Sequence, residues 1–370
     1  MNTCRKTFLI PLYTVILFSL PYADPDPNFH CYLLFGQSNM AGGGAGVSIG
    51  GSGSGTLIAA DCDTSPRVKV LAFCDCSAGS GAACTQYKKS RTADTWYTAY
   101  PALHSCDEGI SPGDYFGKTM LDSVSDDISI GLIPCALSGQ ALNVFEKGGS
   151  NFNLPTWAHP TLGNKSPYTW MLERCKLAQK TGVIKGILLH QGESGSGGGS
   201  WVTMAGGIID NLKKDLGLPD TLPVVVGELR ADNYKDFNTN NVDKFAQLYP
   251  HCGVASSAGL SVQSDDQWHF NAAGMRELGK RFANELLKLS PEDYIPRKGT
   301  TAAAPRPVRT VSANALGTLQ EEITMYTLQG RERVIRTSGH NASAVEAIRP
   351  GNVYIISRKG RAAAEIMVHP

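Results

Sequence analysis

The chain has 370 residues, of which 42% are hydrophobic and 18% are charged, and its formal net charge is +1. This length accommodates one large domain and a small one, and the near-neutral charge gives no reason to expect a nucleic-acid partner. The charge is uneven, because residues 297–370 carry 11 Lys and Arg against 5 Asp and Glu, which leaves the rest of the chain at −5. A basic tail on a mildly acidic body predicts two units with separate functions.

Residues 1–23 have the features of a secretory signal peptide. Two basic residues, Arg5 and Lys6, precede the apolar stretch 7–20, and Ala23 is a small residue at the expected cleavage site. The apolar stretch, about 14 residues long, is shorter than the ~20 residues that a membrane-spanning helix needs. We therefore expect secretion, a mature chain that begins near residue 24, and no membrane span.

Ten cysteines fit an oxidising destination. Four of them crowd one loop-rich stretch, where one or two disulfides are expected and the spacing leaves the pairing open; they are Cys62, Cys74, Cys76 and Cys84. Cys135 and Cys252 lie in apolar, strand-like runs and are predicted to be buried thiols. A zinc site at Cys74 and Cys76 is the alternative, but a second ligand pair at a suitable spacing is missing.

From residue 30 to residue 290, strand-like and helix-like segments alternate. The strand candidates are short and rich in Val, Ile and Leu, as expected of strands covered on both faces; they are 31–35, 68–73, 128–133, 184–189, 222–226 and 253–256. Helical patterns lie at 115–123, 168–179, 205–216 and 272–289. This alternation predicts an α/β fold with a doubly wound parallel sheet.

The character of the chain changes after residue 292. Segment 293–310 is rich in Pro, Ala and basic residues and predicts a stiffened linker. Beyond it, alternating segments separated by short turns predict two β-hairpins; they are 323–328 with 331–335, and 353–357 with 363–369. Segment 311–370 is therefore predicted to be a small all-β module.

The most informative motif follows the first predicted strand, where Gln37-Ser38-Asn39 stands at the strand's carboxyl end. A serine in this position, with small and amide neighbours, is where an α/β enzyme places its nucleophile. Ser38 is therefore the predicted nucleophile. Gln37 and Asn39 flank it and are predicted to position either the acyl group of a substrate or the turn itself.

Two later blocks supply partners for a nucleophilic serine. Asp266 and His269 are three residues apart, so that a turn can return the carboxylate to the imidazole Nδ1 and leave His269 as general base. Block 190–194 follows the fourth predicted strand and adds the amide of Gln191 and the carboxylate of Glu193.

In these blocks the chain resembles the SGNH-type carbohydrate esterases, and within them carbohydrate esterase family six, the acetylxylan esterases related to sialate O-acetylesterases. The resemblance covers about residues 30–290 and rests on 36–42, 190–194 and 266–269 in this order. It implies a flavodoxin-like esterase domain over 24–292 that needs no metal or organic cofactor. It also implies acetylated plant polysaccharide, above all xylan, as the substrate.

Acetylated sialic acid or another acetylated sugar is the nearest alternative substrate. A non-catalytic carbohydrate-binding protein is a rival that the presence of Ser38, Asp266 and His269 disfavours. Transfer of the acetyl group to a second sugar shares the same acyl-enzyme step and stays open at this point.

The resemblance also suggests roles for individual residues. Glu193 would be a second acid that supports His269 together with Asp266. Gln191 would stand where other SGNH enzymes use an asparagine, with its amide donating to the developing oxyanion. Where the family usually shows a double glycine, this chain has Gly139 followed by Gln140. The backbone N–H of Gly139 can approach an oxyanion. Gln140 is a further candidate for contact with the oxyanion or the substrate. Trp268 stands where family members often have a smaller residue and is expected to narrow the acyl pocket.

All these blocks fall at carboxyl ends of predicted strands or in the loop before the last helix, the side on which open α/β sheets bind ligands. A strand order of 2-1-3-4-5 would bring Ser38, Gly139 and Gln191 together.

The tail, residues 311–370, resembles the carboxyl-terminal sorting modules of bacteria that use the type nine secretion route. This resemblance implies a bacterial protein that is secreted or held at the cell surface, with the secretion machinery as a partner. A carbohydrate-binding module is the alternative, although only Tyr326 and Tyr354 there would offer aromatic contacts.

Overall fold

A computed structural model describes residues 24–43, 57–77, 90–106, 108–149, 154, 158–264 and 266–290, together with four strands between 322 and 368. The predicted signal peptide, the predicted linker and Cys84 lie outside the described residues. The chain divides into two units, Met1–Lys298 and Gly299–Pro370, and each is described by itself.

Seven strands form the sheet of the first unit. In chain order they are β1 (Phe29–Gly36), β2 (Val68–Leu71), β3 (Trp96–Thr98), β4 (Ser129–Ala136), β5 (Val183–His190), β6 (Val224–Gly227) and β7 (Cys252–Ala255). They lie in the order β3-β2-β4-β1-β5-β6-β7, and neighbours are parallel except for β2 and β3. The predicted α/β fold with a doubly wound parallel sheet is confirmed, and β3, which was not among the predicted strands, adds an antiparallel edge.

The position of β4 differs from the expected strand order. The order 2-1-3-4-5 would place β1 between β2 and β4, whereas β1 lies between β4 and β5. The physical reason is strand length: β1 and β4, with eight residues each, pair along their whole length, while the four-residue β2 covers only the start of β4. The strand ends that precede Ser38, Gly139 and Gln191 are therefore immediate neighbours.

Helices cover both faces of this sheet. α2 and α8 pack together on one face and α4 and α5 on the other. The helices are α1 (Ser38–Ala41), α2 (Pro112–Ser123), α3 (Ala158–Leu162), α4 (Pro167–Gln179), α5 (Trp201–Leu216), α6 (Lys235–Phe237), α7 (Lys244–Leu248) and α8 (Ala272–Leu289). Within the described residues, no helix combines the length and apolar character needed to cross a membrane.

The ends of the long helices follow from their capping residues. Asn271 Oδ1 accepts from Gly274 N (3.0 Å), so α8 begins where predicted. Gly217 ends α5 in the left-handed region, with φ +63°. α5 begins four residues earlier than predicted because Ser200 caps it, and α2 begins three residues earlier because Ser111 does.

Strand β1 forms the centre of the core. Its side chains alternate, so that Leu33 and Phe35 enter the apolar cluster on one face of the sheet while Tyr32 and Leu34 enter the cluster on the other. All four are at most 1% exposed. Burial of each such side chain stabilises the fold by about 1.5–3 kcal/mol, which fixes the strand end that leads into Ser38.

One of the four crowded cysteines, Cys76, forms a disulfide with Cys106, which lies outside the predicted group. The Cys74 sulfur lies 3.4 Å from that of Cys106, and all three sulfurs lie within 4.8 Å of one another. Because two of the three are joined covalently, only one thiol is left, and the zinc alternative does not fit. Cys62 is also disulfide-bonded.

Two other predicted thiols differ in their surroundings. Cys135 is a free, fully buried thiol in β4, as predicted. Cys252 is also free, but it is partly exposed because β7, at whose start it lies, is the edge strand of the sheet.

The second unit contains a four-stranded antiparallel sheet in the order β11-β10-β8-β9. Its strands are β8 (Glu322–Thr327), β9 (Glu332–Arg336), β10 (Val353–Arg358) and β11 (Glu365–Val368). β8 pairs with β9, and β10 pairs with β11, which are the two pairings predicted from the sequence. β10 also pairs with β8, which joins the two hairpins into one sheet.

Asp114 makes the stability of the first unit sensitive to pH. Its Oδ2 accepts hydrogen bonds from Ser111 N (2.8 Å) and Ser111 Oγ (3.2 Å) at the start of α2. Burial raises the pKa of Asp114 to about 7. A carboxyl group with a raised pKa in the folded state costs nothing while protonated, and its penalty grows as the pH rises from its unfolded pKa of ~4 to about 7.

Asp114→Asn should therefore lose less stability than the wild type between pH 5 and pH 8. The difference should reach about 2–3 kcal/mol, from ~1.4 kcal/mol per pKa unit, in urea unfolding at the two pH values. Asp122→Asn, at an exposed position of the same helix, is the matched control and should follow the wild type. Equal pH dependence in all three proteins would contradict this account.

Candidate active site

Ser38 stands at the carboxyl end of the central strand. β1 ends at Gly36, Gln37 has an extended backbone, and Ser38 is the first residue of α1. Gly36 has φ +138°, and a Cβ there would lie 2.0 Å from the backbone oxygen of His190. The close approach of β1 to β5 therefore requires glycine, and it brings Ser38 to the block that follows β5.

Three of the predicted residues form one hydrogen-bonded chain. Ser38 Oγ lies 2.9 Å from His269 Nε2, and His269 Nδ1 lies 2.9 Å from Asp266 Oδ2. Ser38 is 8% exposed, and the side chains of His269 and Asp266 are 19% and 17% exposed. These three side chains are largely shielded from water, but their remaining exposure leaves them accessible to a substrate.

The turn from Asp266 to His269 fixes the imidazole. Asp266 Oδ1 accepts from the backbone N–H groups of Trp268 (2.8 Å) and His269 (2.7 Å). Burial raises the pKa of Asp266, but these bonds and the bond from His269 outweigh it and hold the pKa below its usual value. The ionised Asp266 accepts a hydrogen bond from Nδ1–H, so the proton stays on Nδ1 and Nε2 is left as the acceptor for the Ser38 hydroxyl.

Asn39 joins the nucleophile helix to the histidine loop. Its Nδ2 donates to the backbone oxygen of Trp268 (2.9 Å), and its Oδ1 accepts from Phe270 N (3.2 Å), so both residues beside His269 are held. Asn39 Nδ2 also donates to Glu193 Oε1 (2.5 Å). Asn39 is fully buried, so of its two expected roles the structure favours positioning of the turn over contact with an acyl group.

Glu193 is connected to the His269 loop by Asn39, which donates hydrogen bonds to both. Its side chain is 2% exposed, and Oε1 lies 3.7 Å from Nδ1 of His190, whose pKa burial lowers. Among the described residues, no hydrogen bond joins Glu193 to His269. The expected direct support of His269 by Glu193 is thus replaced by an indirect one, because Asn39 lies between Glu193 and the His269 loop.

Gln191 lies deeper than an oxyanion donor should. It is 1% exposed, and its Nε2 faces Gln37 Oε1 (3.3 Å), Gln140 O (3.2 Å) and Gly195 O (2.9 Å). Its Oε1 accepts from Trp201 Nε1 (2.7 Å). Three internal acceptors use both of its N–H groups, so the expected oxyanion role does not match this geometry.

Gln37 organises the loop after β5. Its Oε1 accepts from Gly192 N (3.4 Å) and Ser194 N (3.1 Å), and its Nε2 donates to Ser194 Oγ (3.3 Å). Gln37 is 2% exposed. Like Asn39, Gln37 positions a loop: its amide bonds to the backbone and side chain of residues 192–194.

The turn after β4 lies beside Ser38. Gly139 has φ +73°, and Gln140 N closes the turn onto Leu137 O (3.3 Å). A Cβ added at Gly43 would lie 3.1 Å from Ser138 Oγ and 3.2 Å from Ser38 Cβ. Gln140 Nε2 donates back to Ser138 O (3.3 Å), so Gln140 supports the turn.

Arg230 and Glu108 belong to the site but were not predicted. Arg230 Nη1 donates to the backbone oxygens of Asp266 (2.7 Å) and His269 (3.4 Å), and Glu108 accepts from Ser138 Oγ. Arg230 lies three residues after the end of β6, and a charged residue in the loop that follows a buried strand is the signal that would have found it. Glu108 lies in a loop with no comparable signal.

Comparison with known proteins identifies the family. Residues 28–288 match the model of the family described as carbohydrate esterase, sialic acid-specific acetylesterase. The chain belongs to this family. The esterase is 26% identical, over 284 residues, to an Arabidopsis thaliana protein described as a probable carbohydrate esterase, with 71% of this chain and 92% of the relative covered.

Solved structures share the fold of the esterase. One Arabidopsis thaliana protein matches with a TM-score of 0.52 and 23% identity, covering 71% of this chain and 99% of that one. NanS matches with a TM-score of 0.52 and 14% identity, covering 72% and 99%. These structures show the fold alone, which is the predicted one. The family match shows that the esterase is a carboxylic ester hydrolase of the carbohydrate acetylesterase class.

Asn39→Ala should lower the kcat of the esterase by about 10- to 100-fold, because the His269 loop loses its fixed distance from Ser38. Asn39→Asp should be impaired at least as strongly, since it keeps the acceptor for Phe270 but places a second carboxylate against Glu193. Hydrolysis of an acetate ester and thermal unfolding would be measured together. Asn241→Ala, which removes an amide bonded to Phe237 O, is the control, and a folded Asn39→Ala protein with wild-type kcat would refute the role.

Proposed function

We propose that this protein is a secreted bacterial serine esterase that removes O-acetyl groups from an acetylated plant polysaccharide, with xylan as its substrate. The hydrogen-bonded chain of Ser38, His269 and Asp266 carries the proposal. A serine hydroxyl, a base in a fixed tautomer and an ionised acid are the three groups that nucleophilic ester hydrolysis needs.

In the proposed reaction, Ser38 Oγ attacks the acetyl carbonyl carbon while His269 Nε2 takes the hydroxyl proton. Asp266 stabilises the imidazolium that forms. The tetrahedral intermediate collapses, and the sugar oxygen leaves with the proton from His269, so that an acetyl group remains on Ser38. A water molecule, deprotonated by His269, then attacks the acetyl carbon. The bond to Ser38 Oγ breaks, Oγ takes the proton back from His269, and acetate leaves.

The oxyanion is assigned to the backbone N–H groups of Ser38 and Gly139. Ser38 is the first residue of α1, where backbone N–H groups have no acceptor within the helix. Gly139 lies in the turn that stands beside Ser38. Backbone donors of this kind are rigid before the reaction begins, which is what makes an oxyanion site effective.

The charged groups next to Asp266 favour a neutral sugar as the substrate. Arg230 is the one cation among the described residues that contact Asp266, and its guanidinium already bonds to three backbone oxygens and to Asp232. A sialic acid carries a carboxylate, which binding sites usually pair with an available Arg or Lys. O-acetylated sialic acid is nevertheless the second candidate, because the description of the family favours it.

Ser38→Ala should abolish acetate release from acetylated xylan, and His269→Ala should lower kcat at least about a thousandfold. Acetate would be measured with acetylated xylan and with an O-acetylated sialic acid in parallel. Release from xylan alone supports the xylan assignment, and release from the sialic acid alone transfers the mechanism to the second candidate. Activity that survives Ser38→Ala would refute the serine mechanism.

We further propose that residues 1–23 direct export and that the second unit, with its four-stranded sheet, addresses the protein to the secretion machinery. A chain ending after Leu289 should keep full esterase activity in vitro but remain cell-associated in its native host. Fractionation of cells and medium, followed by an acetate-release assay, would measure both properties. Normal export of the shortened chain would end the sorting proposal.

A further inference from the structure

Trp268 has an exposed indole immediately before the histidine of the triad. Half of its surface, 50%, is accessible, whereas Trp170 and Trp201 are 4% and 3% exposed. The expectation that it narrows an acyl pocket does not fit a side chain so open to solvent. Covering a large aromatic group releases free energy, so an exposed indole next to the triad is a favourable contact surface for a ligand.

The main chain of Trp268 is held from both sides. Its N–H donates to Asp266 Oδ1 (2.8 Å), and its carbonyl oxygen accepts from Asn39 Nδ2 (2.9 Å). The preceding residue is also fixed, because Gln267 O accepts from Asn233 Nδ2 (2.8 Å). A single exposed apolar residue is common on protein surfaces, but this one is attached to a backbone that the catalytic machinery itself makes rigid.

A second aromatic residue lies on the adjoining loop. Asn233, which bonds to the residue before Trp268, is followed by the partly buried Tyr234. The carboxylates of Glu193 and Asp266 are close enough to Tyr234 to add to the rise that burial causes in its pKa. The two loops next to Asp266 that the Asn233 bond joins therefore carry one aromatic residue each.

The chemistry of the Trp268 indole matches a sugar ring. An indole offers a flat apolar face with a polar N–H at its rim, and a pyranose ring offers an apolar C–H face with hydroxyl groups at its rim. Sites for neutral ligands combine such aromatic surfaces with a few fixed polar groups. We propose that the sugar that carries the ester stacks on Trp268, beside Tyr234, while its acetyl group reaches Ser38.

This assignment rests on the proposed function, since it requires that the substrate is an O-acetylated carbohydrate. It also assigns specificity: Trp268 would select esters whose alcohol part is a ring with an apolar face. The main-chain bonds of Trp268 do not depend on its side chain, so a substitution can remove the ring while the His269 loop keeps its anchors.

The test compares Trp268→Ala and Trp268→Phe with the wild type on two esters, an acetylated xylo-oligosaccharide and ethyl acetate, which has no ring. Trp268→Ala should raise the KM for the oligosaccharide about tenfold and should lower the ratio of the two kcat/KM values by a similar factor. Trp268→Phe should restore most of the loss. Leu248→Ala, which removes an apolar side chain that is 66% exposed elsewhere, should change neither value.

Two results would overturn the stacking proposal. An equal fall in kcat/KM for both esters would mean that the indole only supports the loop, and unchanged values for both would mean that nothing stacks on it. Failure of the proposed function would appear differently, as a wild-type protein that releases no acetate from any acetylated sugar while Ser38 still hydrolyses ethyl acetate. That result would remove the stacking proposal as well.

Discussion

The hydrogen bond between Ser38 and His269 joins residues 231 positions apart in the chain. It exists because the sheet brings the end of β1 next to the loop before α8 and because that loop is pinned in place. Ser38 is positioned by a strand that is buried on both faces. His269 is positioned by Asp266 within its own turn and by Asn39 from the nucleophile helix.

Buried polar side chains hold the loops around Ser38 and His269 in position. Asn39, Gln37 and Gln191 are each at most 2% exposed, and each connects backbone segments that are distant in sequence. Burying an amide is costly unless its hydrogen bonds are made, so such side chains specify one geometry and penalise others. Glu193 adds a carboxylate that Asn39 holds in place, which makes the network sensitive to the loss of the Asn39 amide.

The sequence was most informative where the relevant contacts are local. The pairing of Asp266 with His269 could be predicted because it spans three residues, and Ser38 could be predicted because it directly follows an apolar strand. The alternation of strands and helices likewise predicted the sheet, and the capping residue Asn271 predicted the start of α8.

Other features depend on contacts that no local pattern contains. The partners of Gln191 include Gln37, which lies 154 residues away, so the burial of its amide was not visible in the sequence. The place of β4 beside β1 follows from the full length over which the two strands pair, which spacing alone does not give. Arg230 was missed because its partners are backbone oxygens of a loop more than 30 residues further along the chain.

In the proposed mechanism, Ser38 accepts the acetyl group with the help of His269. Acid quenching of the protein during turnover of an acetylated sugar, followed by peptide mass spectrometry, tests this step directly. We predict one acetyl group on Ser38 in the wild type and a greatly reduced amount in His269→Ala. Acetate release without any acetylated Ser38, or with the acetyl group on another residue, would contradict it.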